Sequence, residues 1–153
     1  MIKLFYFIFF SFTALNNVFA KNININEDLN LEFNCKLEKK IIKNSEYNYK
    51  TFLAEEVDEQ NINSLKLYTN QPSTLMVNGL SDFFSQNSNY DVKIVNKDVV
   101  LFKAFNKEKS YSESAIITRK TGELIHEITK NINSENSEKY ITIYYCKNKT
   151  KNA

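Results

Sequence analysis

The chain has 153 residues, 42% of them hydrophobic and 25% charged, with a formal charge of +2, two Cys, two Gly, one Pro and no Trp. That composition excludes a multi-domain enzyme, a collagen-like or low-complexity chain and a basic nucleic-acid-binding tail, and one compact domain of this size can bury a core without a metal. Asn is heavily used, 22 against a single Arg. These Asn are dispersed among aliphatic and aromatic residues, so they read as the codon usage of AT-rich DNA and not as an aggregation-prone tract.

The first 20 residues differ in character from the rest. Met1-Ile2-Lys3 is a short positive start, residues 4–15 are an almost unbroken apolar run, and Val18-Phe19-Ala20 fits a cleavage site. A run of about 12 residues is well short of the roughly 20 that a spanning helix needs. The expectation is a signal peptide at 1–20 and a single domain at 21–153, with no membrane span after cleavage. Losing Lys3 leaves a charge of +1, which gives no global attraction to nucleic acid or anionic lipid.

In chain order, Ile23, Ile25, Leu29, Leu31, Phe33, Cys35 and Leu37 share odd parity, separated by polar residues. A period of two predicts a first strand with one buried face, and Cys35 lies on that face. The pattern is weaker from 40 to 90: residues 47–53, 65–69 and 74–77 read as strands, 52–60 equally as a helical turn or two, and Ser81 as the N-cap of a short helical turn. One hairpin spans 90–105 and turns at Asn96-Lys97. Another spans 111–130 and turns across Arg119-Lys120-Thr121-Gly122, where Gly122 supplies the positive φ of a tight loop. Residues 131–138 form a polar loop. The last strand, 139–147, is apolar or aromatic on both faces, which predicts a central position or pairing with the first strand. Together these elements predict an all-β domain, a single antiparallel sandwich or up-and-down barrel of about seven to eight strands with one or two short helical turns.

A leader followed by two Cys indicates an oxidising compartment, periplasmic or extracellular. Only one intramolecular pairing exists, Cys35 with Cys146. It closes 111 positions of chain, for which the chain-entropy argument gives about 4–5 kcal/mol. The bridge brings the first strand within about 7 Å of the last, favouring a closed barrel or a sandwich whose end strands meet. It also implies that Lys36, Lys39, Lys40 and Lys43 after the first Cys gather at one end of the molecule with Lys147, Lys149 and Lys151 after the second. The acidic run Glu55, Glu56, Asp58, Glu59 opposes them. These seven lysines are the candidate binding residues, together with the lone Arg119, whose forked donors suit turn carbonyls, a carboxylate or a ligand.

Catalytic signatures are missing. His126 is the only His, on the same strand parity as Leu124 and Ile128, so the expectation is a partly buried, hydrogen-bonded side chain. No nucleophile elbow, phosphate loop or H-E-x-x-H motif is present, and a zinc site would need donors that oxidised Cys do not supply. Neither a catalytic residue, a metal nor a cofactor is assigned.

The hairpin Ile117-Thr118-Arg119-Lys120-Thr121-Gly122-Glu123-Leu124, following a leader and a first-strand Cys and preceding a last strand that ends in Cys146, resembles a group of small uncharacterised exported bacterial proteins with an I-x-R-x-T-G-x-L hairpin. The likeness covers most of residues 30–147 and rests on about ten positions. It implies an exported β domain and carries no activity. Secreted lysozyme-inhibitor barrels are a looser likeness, in size, export and disulfide, but Gly79 and Gly122 are the only glycines and the glycine-containing inhibitory loops are missing. The sequence therefore leads to a monomeric, non-enzymatic exported β domain that binds a protein or an envelope component. The alternatives are a small secreted hydrolase using His126 and a lipocalin-like carrier of a small apolar ligand.

Overall fold

The computed structural model describes residues 29–71, 74–86 and 91–149. The expected leader, Ile23, Ile25 and Lys151 lie outside the described residues. The elements are β1 (Asn30–Lys43), β2 (Lys50–Leu53), a 3-10 turn (Ala54–Glu56), β3 (Ile62–Gln71), β4 (Thr74–Asn78), α1 (Asp82–Gln86), β5 (Asp91–Val95), β6 (Val99–Asn106), β7 (Tyr111–Thr118), β8 (Glu123–Lys130) and β9 (Glu138–Asn148). All the strands join one antiparallel sheet in the order β4-β3-β1-β9-β8-β7-β6-β5, with β2 added to the far half of β1.

The domain is all-β as expected. The sheet takes the barrel-like alternative in an opened form, curling into a half-barrel. The first and last strands do pair, but at the centre of an open sheet whose edges are β4 and β5. The Cys35–Cys146 disulfide joins register partners with Cα atoms 3.9 Å apart, so adjacency of β1 and β9 satisfies it without barrel closure.

The alternation read in the first strand holds to Leu37 and then breaks. Leu37 faces Tyr144, whereas Lys39 faces Ile143, leaving Glu38 as an extra residue in a β-bulge. A bulge inverts parity beyond it. Lys40 and Ile42 consequently oppose Thr142 and Tyr140 on the concave side, and the strand runs on to Lys43.

The concave face carries the core: Leu31, Phe33, Cys35 and Leu37 from β1, Leu65 and Leu67 from β3, Val100 and Phe102 from β6, Ile117, Leu124 and Tyr144. An open half-barrel would leave this face wet, and α1 covers it. The Ser81 Oγ accepts from the Phe84 backbone N–H at 3.2 Å, the N-cap expected from sequence. Phe84, fully buried, packs edge-on against Phe102 at 4.9 Å, and Phe83 packs against Tyr111 at 4.9 Å.

Candidate functional site

A cleft of about 490 Å³ opens on the convex face beside the disulfide. Its floor is the β1–β9 pair, where Asn34 faces Lys147 and Lys36 faces Tyr145 across the ladder. Alternation places these four side chains outward, because Cys35 and Cys146 between them point into the core. The cleft exists because the neighbour of β1 changes here. β3 pairs with residues as far as Cys35 and β2 begins at Lys39, which leaves a notch along residues 36–38. Asn61 fills part of it, its Oδ1 accepting from the Leu37 backbone N–H at 2.8 Å, and Asn63 completes the wall.

The charges around the cleft differ in how they are used. Lys149 donates to Glu32 Oε1 at 3.2 Å and to the Asn63 carbonyl at 2.7 Å. The hydrogen bond that Ser64 donates to Glu32, and then the one from Lys149, hold the Glu32 carboxyl below its ordinary range, so this rim pair stays ionised. Among the described residues no carboxylate lies within ion-pair distance of Lys36 or Lys147, and both are exposed. The cleft therefore presents two ammonium groups with no ion-pair partner among the described residues, asparagine side chains and Tyr145, which is 47% exposed.

The six described lysines of the seven do not share one end of the molecule. Antiparallel pairing carries Lys43 away from the disulfide to face Lys139, so it lies roughly 27 Å along the sheet from Lys147 at about 3.4 Å per residue. Lys40, turned inward by the bulge, is bound to Glu59 at 2.6 Å and lies over the Tyr140 ring. Lys43 donates to the Ser137 carbonyl at 2.9 Å and to its hydroxyl at 3.0 Å. Lys39 stays on the convex face, opposite Ile143. Arg119 joins two turns: its Nη1 donates to the Asn96 carbonyl at 2.9 Å and its backbone N–H to the Asp98 carbonyl at 2.7 Å.

A second polar cluster lies inside the sheet. His126 is buried, its Nε2 3.3 Å from Glu113 Oε1 but without the alignment of a hydrogen bond. Glu113, also buried, accepts from the Tyr111 hydroxyl at 3.0 Å and, through Oε2, from the Ser81 hydroxyl at 2.7 Å. The carboxylate thus stands between the serine and the histidine, and the serine proton is directed to Glu113. Sequence reasoning passed over Glu113, although its parity with Tyr111, Ala115 and Ile117 marks it as inward-facing.

No known protein-family model, curated protein or solved structure matches the chain. Among the described residues no helix is long and apolar enough to cross a membrane, and no three His, Cys, Asp or Glu side chains converge as a metal site would need.

Proposed function

We propose that this is an exported, non-enzymatic β domain that binds an anionic component of the cell envelope at the Lys36–Lys147 cleft. The observation that carries this reading is the pair of exposed lysines in a concavity lined by three asparagines and Tyr145, with no carboxylate at ion-pair distance among the described residues. Two like charges lining one cleft favour a multiply charged anion over a monovalent one, and the asparagines add directional donors and acceptors. Export to the periplasm or medium is supported by the disulfide, a feature of oxidising compartments, and by the apolar leader in the sequence.

Two observations weigh against the alternatives. A hydrolase pairing His126 with a serine needs that hydroxyl aimed at the histidine, and the Ser81 hydroxyl donates instead to Glu113; one pairing His126 with a carboxylate needs the pair open to substrate, and His126 and Glu113 are both buried. A lipocalin-like carrier needs an open apolar interior, and Phe84 of α1 fills that place. The test is affinity for a short inorganic polyphosphate at low ionic strength. Reversing both cleft charges, Lys36→Glu with Lys147→Glu, lowers it at least about tenfold, while Lys107→Glu with Lys109→Glu on the β6–β7 turn leaves most of it intact. Equal loss in the two double variants would refute the cleft.

A further inference from the structure

Beyond the cleft, the convex face carries an aliphatic row set by strand register. Ile143 of β9 faces Ile125 of β8, Ile125 faces Ile116 of β7, and Ile116 faces Leu101 of β6. All four are half-buried, and the row crosses about 14 Å of sheet at roughly 4.8 Å per strand. Ile41 and Ile141, register partners on β1 and β9, widen it. Both helical turns pack against the core on the concave side, through Phe84 and Leu80 in one case and Ala54 and Val57 in the other. Among the described residues no helix lies over the row.

One border of the row is basic. Lys39 faces Ile143, and Tyr145, two positions along β9 on the same face, leads into the cleft with Lys36 and Lys147. Lys139 and Lys149 on this face are neutralised by Glu127 and Glu32, and Glu123 opposite Tyr145 and the exposed bulge residue Glu38 offset part of the remaining charge. What is left is an aliphatic surface with cations and an exposed tyrosine along one side. A soluble polyanion would use only the lysines. An anionic lipid surface uses both parts, with phosphates meeting the ammonium groups, the tyrosine at headgroup level and the aliphatic row against the acyl boundary.

We propose that the convex face of β6–β7–β8–β9–β1 docks on a bilayer containing anionic phospholipid, with the Lys36–Lys147 cleft receiving a lipid phosphate. This rests on the cleft reading and names its ligand. The test is co-flotation of the oxidised protein with phosphatidylcholine vesicles, with and without about 30 mol% phosphatidylglycerol, alongside soluble polyphosphate binding. The protein floats with the anionic vesicles only. Lys36→Glu with Lys147→Glu, and separately Ile125→Thr with Ile143→Thr, each reduce vesicle binding at least about tenfold. The threonines keep the β-branched shape that suits a strand, and unchanged circular dichroism verifies folding.

If polyphosphate binds but the threonine variant floats like wild type, the lipid inference is overturned and the cleft reading stands. If neither polyphosphate nor vesicles bind, both are overturned. A dimer that the threonine pair abolishes, with no flotation, overturns the lipid inference and assigns the row to a second copy of the chain.

Discussion

Gly79 and Gly122 sit at φ +86° and +77°, and a Cβ on either would collide with a backbone carbonyl oxygen, of Ser64 and Cys146 respectively. Neither carbonyl is the movable end of a side chain. Gly122→Ala should therefore cost more than the roughly 1–2 kcal/mol of a left-handed L-residue, measured by denaturant unfolding. Tyr144 gives a pH signature at the same scale: burial first, then the nearby Glu59 carboxylate, push its phenol up to about 12 from 10.0. A raised folded-state value means that the stabilisation is complete below pH 10 and lost as pH rises towards about 12. Tyr144→Phe should flatten that alkaline loss of stability in pH-dependent unfolding. The abundant asparagines also acquire a purpose that composition could not reveal. Asn44 Oδ1 accepts from the backbone N–H groups of Glu46 and Tyr47, Asn96 Oδ1 from those of Asp98 and Val99, and Asn106 Oδ1 from that of Lys109. A side chain that mimics a backbone acceptor closes a turn without glycine, and in a chain with two glycines it serves in their place.

Among the elements, α1 is short for an isolated helix and owes its position to its ends and its rings. Ser81 accepts from the Phe84 backbone N–H and donates to Glu113, tying the helix start to β7. Phe84→Ala should cost about 3–5 kcal/mol by leaving a cavity between α1 and β6. Ser81→Ala should cost less, about 1–2 kcal/mol, while speeding amide exchange at Phe84 and Ser85 well beyond exchange in β7. Exchange unchanged at those amides would remove Ser81 from the account. The strands flanking Asn96 and Gly122 were legible because alternation and turn chemistry agree there, and the structure pairs them as hairpins β5–β6 and β7–β8. The first strand was legible only to Leu37, because the Glu38 bulge inverts its parity and places Lys40, a polar residue, on the concave side. Register lies outside what a one-dimensional pattern encodes, so neither the notch at residues 36–38 nor the Ile143–Ile125–Ile116 row could be read from it.

For the whole molecule, the disulfide and the sheet order decide which charges meet. The pairing of Cys35 with Cys146 was legible by elimination, and it places Lys36 and Lys147 together. The wider lysine cluster failed because antiparallel strands that meet at one point diverge in residue number away from it, separating Lys39, Lys40 and Lys43 from Lys147. Replacing both cysteines by serine should lower stability by about 2–5 kcal/mol in chemical unfolding. The β1–β9 ladder retains its other register partners, so the reduced protein should still fold under stabilising conditions. The central claim is that the cleft beside this bridge binds anions, and chemical-shift mapping of the oxidised protein during titration with short polyphosphate tests it most directly. Shifts concentrated at Asn34, Lys36, Asn63, Tyr145 and Lys147 are the predicted result. Shifts centred instead on Phe84 and His126, or none at saturating polyphosphate, would contradict it.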